Sequence, residues 1–215
     1  MLFSDVSNDY FVIYIQNPTN INSYPGFTIK FLAGQDLDGE GTSLPITFTW
    51  TNIDIKWLTN LQFSGDFAEF FDSPGSIDAA DSIKVYYSID GGQEQNLLWF
   101  SGANFDNNPF NGVFLQDTDF DGVGDGQALN NEAQKFTKAI TGKGSTLDLR
   151  LEISLDSGDE DFALDNFLIT GITAPIEGTE SKDSLLGTEA HDVINGSSGN
   201  DYLKGKAGDD IIDGG

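Results

Sequence analysis

Apolar and polar residues alternate with a period of two through most of residues 1–174. From Leu147 to Leu155, the apolar Leu147, Leu149, Leu151, Ile153 and Leu155 are interleaved with Asp148, Arg150, Glu152 and Ser154. This is the pattern of a strand with one face buried and the other wet. Ile46, Phe48 and Trp50 alternate in the same way with Thr47, Thr49 and Thr51, and Ile83, Val85, Tyr87 and Ile89 with Lys84, Tyr86 and Ser88. Further runs predict strands over 27–33, 58–70, 95–101, 112–116, 135–141 and 162–170, separated by turn sequences such as Asp90-Gly91-Gly92 and Asp156-Ser157-Gly158. No long helical periodicity appears. The pattern predicts an all-β fold, an antiparallel two-sheet sandwich of jelly-roll type over 1–174.

Near Pro175 the pattern changes. All 17 Phe, all three Trp and all six Pro precede residue 176, and only Tyr202 is aromatic afterwards. Residues 178–215 repeat every nine positions: GTESKDSLL, GTEAHDVIN, GSSGNDYLK, GKAGDDIID, then Gly214-Gly215. The four units share a column of Gly (Gly178, Gly187, Gly196, Gly205), one of Asp (Asp183, Asp192, Asp201, Asp210) and one of aliphatic residues (Leu185, Ile194, Leu203, Ile212). Such a unit has room for one tight turn and one short strand and buries nothing alone. Stacked as a parallel β-roll, the units place the aliphatic column inside and bring the Asp columns together. Clustered carboxylates repel unless a cation lies between them, and Ca2+ accepts both carboxylate and carbonyl oxygens. Gly196, Gly199, Gly205 and Gly208 permit the positive φ values that aim carbonyls at an ion.

The segment resembles the haemolysin-type calcium-binding repeats, the repeats-in-toxin family of secreted bacterial proteins, with consensus G-G-x-G-x-D-x-U-x. GSSGNDYLK and GKAGDDIID fit it best, whereas Ser181 and Ala190 replace the fourth-position Gly in the first two units. In that family two repeats make one coil and an ion lies between repeats n and n+2. The resemblance therefore implies that Asp183 faces Asp201, that Asp192 faces Asp210, and that the first turns coordinate poorly or serve as a cap. It also implies secretion through an uncleaved C-terminal signal. The chain stops on Gly214-Gly215, the opening of another repeat, and a truncated product or fragment is expected on that ground.

Charge narrows the partners. With 10 Lys and Arg against 35 Asp and Glu the formal net charge is −25, and Arg150 is the only Arg. Phosphate-directed nucleic-acid binding is disfavoured, and self-repulsion weakens any compact state without counter-cations. The absence of Cys removes disulfides and Cys-ligated zinc. No stretch is apolar for long enough to form a membrane-spanning helix, and MLFSDVSNDY is not a cleavable leader.

A second calcium candidate is the loop Asp117-Thr118-Asp119-Phe120-Asp121-Gly122-Val123-Gly124-Asp125. Asp117, Asp119 and Asp121 would supply carboxylates, Gly122 the turn, Val123 a carbonyl, and Asp125 a ligand directly or through water. The loop resembles an EF-hand or thrombospondin type-3 loop, but Ala128 stands where an EF-hand has its bidentate Glu. An Asp/Gly-rich hairpin connection explains the same residues. Asp36-Leu37-Asp38-Gly39-Glu40-Gly41 is a weaker version that reads as a solvated turn. The runs Asp156–Asp161, Phe162–Gly171 and Phe31–Gly39 resemble accessory β-sandwich modules found beside calcium repeats in large secreted bacterial proteins, including extracellular nucleases. That resemblance supplies no catalytic residues.

Catalytic chemistry has few candidates. His191 is the only histidine, placed in a variable repeat position, so a Ser-His-Asp or Cys-His system has no base. Asp66 and Glu69 are the candidate glycosidase-type pair, with strand-edge charges as the competing explanation. Trp50 reads as core, while Trp57 and Trp99 break the pattern and are candidates for an exposed sugar platform. The expected function is that of a non-enzymatic extracellular calcium-binding structural or accessory protein, with other domains of a parent protein or a polysaccharide as partners. A carbohydrate-binding module and a fragment of a secreted hydrolase such as a nuclease are the alternatives.

Overall fold

The computed structural model describes residues 24–27, 31–35, 37, 43–69, 77–104, 112–156, 160–189 and 192–215, and among these it is all β. The chain divides into two compact units. The first contains the described residues up to Asp54 together with Gln62–Thr170, and the second contains Ile55–Leu61 with Gly171–Gly215. Residues 55–61, grouped with the first region on sequence pattern, thus lie with the second.

The antiparallel strands form two sheets, which lie in the first unit except for residues 58–61 and 171–173. One is formed by β2 (Ile46–Asp54), β8 (Thr146–Ser154), β4 (Ser82–Ile89), β5 (Gln95–Asn104) and β6 (Gly112–Asp117), in that order. The other is formed by β1 (Leu32–Gln35), β9 (Asp161–Thr173), β3 (Leu58–Ala68) and β7 (Gln134–Ala139). Pairing is antiparallel throughout the five-stranded sheet and between β1 and β9 and β3 and β7. The alternation in β8 is realised as expected: Leu147, Leu149, Leu151 and Ile153 are fully buried, and the residues between them are half-buried on the other face.

Side chains of the two inner faces meet. Phe67 of β3 packs on Phe100 of β5 with ring centroids 5.0 Å apart, and Phe100 on Phe136 of β7 at 4.9 Å. Phe63, Phe114, Ile83, Val85 and Leu98 complete this core, which makes the unit a sandwich. Trp50, on the edge strand β2, packs against Phe167 at 5.8 Å, in keeping with a core role. The strand expected over 27–33 begins at Leu32, while Phe27 and Phe31 pack against the buried Tyr24, Ala68 and Ala163.

In the second unit β10 (Ile176–Glu177), β12 (Val193–Asn195) and β14 (Ile211–Asp213) form one parallel stack, and β11 (Ser184–Leu186) and β13 (Tyr202–Lys204) another. Leu185 lies opposite Leu203 and Ile194 opposite Ile212, a spacing of 18 residues or two nine-residue units per coil. This is the arrangement expected of a β-roll. The aliphatic column is only partly interior. Ile194 is buried and Leu185 and Leu203 are half-buried, but Ile212 is exposed, because β14 is the outermost strand of its stack.

Candidate metal centre

Coil stacking brings the Asp residues of the repeats together in pairs. The N–H of Asp183 donates to Asp201 Oδ1 at 2.8 Å, and that of Asp192 to Asp210 Oδ1 at 3.0 Å. In return the N–H groups of Tyr202 and Ile211 donate to the carbonyls of Asp183 and Asp192 at 2.9 and 2.8 Å.

The first and second halves of the repeat segment differ in how their carboxylates are satisfied. Asp183 Oδ2 accepts from the N–H of Thr179 at 2.7 Å and its hydroxyl at 2.8 Å, and Asp192 Oδ2 from the N–H and hydroxyl of Thr188 at 2.6 and 3.0 Å. Thr in the second position therefore gives each early unit an internal partner. In the later units the second position is left-handed, at Ser197 (φ 61°) and Lys206 (φ 80°), and so is the fourth, at Gly199 (φ 146°) and Gly208 (φ 108°). Asp201 Oδ2 is buried there with no hydrogen-bond partner among the described residues. A Cβ at Gly199 would stand 2.8 Å from the Ser181 carbonyl oxygen and 2.9 Å from Asp201 Oδ1, and one at Gly196 would stand 3.1 Å from both Asp201 Oδ2 and the Gly214 carbonyl oxygen. At Gly205 it would overlap Asp210 Oδ2. Carboxylate and carbonyl oxygens thus converge where only glycine leaves room, and one of them lacks any donor. A hard oxygen-seeking cation fits such a set.

The loop after β6 gathers three of its carboxylates. One oxygen from each of Asp117, Asp119 and Asp121 lies within 4.8 Å of the other two. Asp117 is buried, and its Oδ1 and Oδ2 accept the N–H groups of Phe120 and Gly122 at 2.7 and 2.8 Å. Asp121 Oδ1 accepts the N–H of Val123, whose side chain is exposed, at 2.8 Å. Asp125 is engaged elsewhere: its Oδ1 accepts from the N–H and hydroxyl of Thr118 at 2.9 and 2.8 Å, bonds that hold its carboxyl below the usual range. These bonds close the loop without an ion, so only the convergence of the three carboxylates points to a cation.

Asp66 and Glu69 are not strand-edge charges but buried groups with separate partners. Asp66 Oδ2 accepts from Asn166 Nδ2 at 2.7 Å, and Glu69 Oε2 from the N–H of Phe114 at 2.7 Å. Burial pushes the Glu69 carboxyl up to about 8. Of the candidate aromatic platforms, Trp57 is exposed as expected, at 54%, and Trp99 is half-buried. Lys84 Nζ lies 4.7 Å from the centroid of Trp99, Arg150 lies 4.1 Å from that of Tyr86, and the exposed Trp57 carries Lys56 Nζ at 4.7 Å. Each of these rings has one face covered by a cation of the chain itself. His191, Ala190 and all of the 36–41 run except Leu37 lie outside the described residues.

Sequence reasoning misses a third acidic group, Asp81, Asp156 and Glu160, whose carboxylate oxygens also lie within 4.8 Å of one another. Asp156 and Glu160 are visible as part of an acidic run, but nothing in the sequence joins that run to Asp81. Burial pushes the Asp81 carboxyl up to about 6, opposed by the Asp78 N–H and reinforced by the charge of Asp78.

No curated protein sequence matches the chain. Among solved structures, the C-terminal domain of EclA, a sugar-binding protein, aligns at 11% identity over 73% of this chain and 89% of that one, with a TM-score of 0.31. At that score neither fold nor ligand transfers. Residues 177–215 match the RTX calcium-binding nonapeptide repeat in four copies. The segment in which the Asp residues pair across coils is therefore a run of haemolysin-type calcium-binding repeats, and its cofactor is Ca2+.

Proposed function

We propose that the chain is a non-enzymatic, extracellular calcium-binding protein or part of one, in which calcium binding and folding of residues 178–215 are a single event. The observation that supports this reading is Asp201 Oδ2, buried without a donor among the described residues on the side of Gly196 and the Gly214 carbonyl, while Oδ1 of the same carboxylate takes the Asp183 N–H. Asp201 with Asp183, and Asp210 with Asp192, would hold the ions together with turn carbonyls, and Ca2+ would supply the positive charge the turns lack.

Energetics favour coupling. Residues 178–215 carry eight carboxylates (Glu180, Asp183, Glu189, Asp192, Asp201, Asp209, Asp210, Asp213) against three lysines. Ile194 is their one fully buried aliphatic side chain among the described residues. Ordering the backbone costs about 1–2 kcal/mol per residue, which so little apolar burial does not offset. Ion binding supplies the difference. Extracellular calcium modules bind with dissociation constants of about 10⁻⁴–10⁻³ M, so the segment stays unfolded at cytosolic calcium and folds outside, an order that suits export. The sandwich then serves as an accessory module, and other domains of a parent protein are its partners.

Circular dichroism and limited proteolysis of the full chain test this, with millimolar calcium or chelator, on the parent and on Asp201→Ala. Calcium should protect the tail of the parent, and Asp201→Ala should need markedly more calcium. Equal protection in chelator, or an unaltered calcium requirement in Asp201→Ala, overturns the coupling.

A further inference from the structure

Asp81 closes the turn before β4, Asp156 follows β8, and Glu160 precedes β9. Antiparallel pairing sets Ser82 of β4 opposite Ser154 of β8, which carries Asp81 alongside the end of β8, where Asp156 stands. The cluster thus joins two strands of the five-stranded sheet to β9 of the other sheet.

Asp81 and Glu160 are each 1% exposed, whereas Asp156 faces solvent. Asp81 Oδ2 accepts the N–H of Asp78 at 2.6 Å, Oδ1 is buried with no donor among the described residues, and the Glu160 carboxyl lies within hydrogen-bonding reach of the Asp81 side chain. One Asp81 oxygen lies within 4.8 Å of oxygens of the other two carboxylates. Leaving a buried acceptor unsatisfied costs about 1–3 kcal/mol, and more when it is charged. The turn that presents it is fixed in place. Asp81 N–H donates to the Asp78 carbonyl at 3.2 Å and Ala80 N–H to Asp78 Oδ1 at 2.6 Å. The backbone of Ile77 and Asp78 also lies so close to Gly112 and Gly102 that a Cβ at either glycine would overlap a carbonyl oxygen.

We propose that Asp81, Asp156 and Glu160 form a divalent-cation site of the calcium class, separate from the repeats, that ties β9 to β4 and β8 across the edge of the sandwich. Three converging carboxylates with no nitrogen or sulfur donor among them make a hard, anionic set suited to Ca2+. The exposed Asp156 gives the ion its way in from solvent. The competing arrangement is one proton shared between Asp81 and Glu160, and the two respond differently to calcium.

The test is hydrogen exchange read by mass spectrometry on the full chain near neutral pH, in millimolar calcium or chelator, for the parent, Asp81→Asn and Asp156→Asn. In the parent, calcium should slow exchange in peptides covering 78–84 and 160–165 by about tenfold or more, as linkage requires once free ion exceeds the dissociation constant by an order of magnitude. Both variants should lose that slowing while keeping the calcium response of 178–215. Asp156→Asn changes an exposed group and leaves the packing intact, so it remains informative even if Asp81→Asn fails to fold. Exchange at 78–84 that is indifferent to calcium in the parent, or slowed as much in Asp156→Asn as in the parent, overturns the site and leaves the shared proton.

Discussion

The two units answer the same thermodynamic problem in different ways. The sandwich encloses Phe63, Phe67, Phe100, Phe114 and Phe162 completely, and against that apolar core it carries one buried carboxylate oxygen, Asp81 Oδ1, with no donor among the described residues. The repeat segment leaves Leu186, Tyr202, Ile211 and Ile212 between 48 and 58% exposed, and it buries Asp201 Oδ2 without a donor. One is held by apolar area removed from water. The other has a regular backbone ladder and little apolar burial. What separates them is where the missing free energy comes from, and each can be attacked on its own term.

The largest effect is expected from Leu151→Asp. Leu151 is fully buried between Phe48 of β2 and Val85 of β4, so the new charge has no partner and no water. Loss of the sandwich is expected in calcium and in chelator alike, read by urea unfolding with tryptophan fluorescence. Glu152 next to it points to the other face, where it pairs with Arg150, which is also held by Glu94. Glu152→Ala should cost no more than about 1 kcal/mol, as partly exposed ion pairs do. Comparable losses from the two substitutions would mean that the faces are assigned wrongly.

That contrast is legible in the sequence, because Leu151 and Glu152 sit in an alternation that only a half-buried strand produces. Asp183 and Asp201 are legible too, since a nine-residue period fixes them in one column and the family resemblance sets two units to a coil. The Asp81–Asp156–Glu160 group is not. Its members are brought together by the β4–β8 register, and a single sequence shows which residues alternate but not which strands pair. Asp66 and Glu69 escape sequence reading for a related reason: a carboxylate beside Phe67 looks like an edge charge until its donors, Asn166 and Phe114, arrive from distant strands. Ile212 belongs to an inward-facing column, yet the outermost strand of a stack has only one neighbour and leaves it exposed.

A smaller effect, of opposite sign in the two units, is expected from pH. In the folded state the Glu69 carboxyl is raised from 4.5 to about 8 by burial, so the folded protein holds a proton that the unfolded chain releases. Its contribution is complete below pH 4.5 and is lost as pH rises through 8, with a slope of up to about 1.4 kcal/mol per pH unit between them. Asp81, raised to about 6 in the absence of an ion, adds in the same direction at lower pH. Calcium binding competes with protons for carboxylates, so raising pH should weaken the sandwich without weakening the calcium response of the tail. Glu69→Gln keeps an acceptor for the Phe114 N–H and should flatten the slope of sandwich stability measured in urea at several pH values. A slope that survives in Glu69→Gln would place its origin elsewhere.

The smallest and most local effect should come from a single methyl group placed in each unit. At Gly199 (φ 146°) a Cβ would lie 2.8 Å from the Ser181 carbonyl and 2.9 Å from Asp201 Oδ1, between oxygens that would serve the ion. Alanine there adds backbone strain of about 1–3 kcal/mol, and the methyl group presses apart the groups that must converge. Under the proposed coupling of calcium binding to folding, the whole penalty should appear as a higher calcium midpoint, about tenfold at 1.4 kcal/mol. Gly91 is the matching position in the sandwich. It turns the β4–β5 hairpin with φ 67°, and a Cβ there would meet nothing within 4 Å. Gly91→Ala should therefore cost the sandwich only the left-handed penalty of about 1–2 kcal/mol, seen in urea unfolding, and leave the calcium midpoint of the tail where it was. Titrating calcium by circular dichroism on both variants separates the outcomes. If Gly199→Ala leaves the midpoint unchanged, the oxygens around Gly199 do not hold the ion. If Gly91→Ala moves it as far, the two units do not draw their stability from different sources.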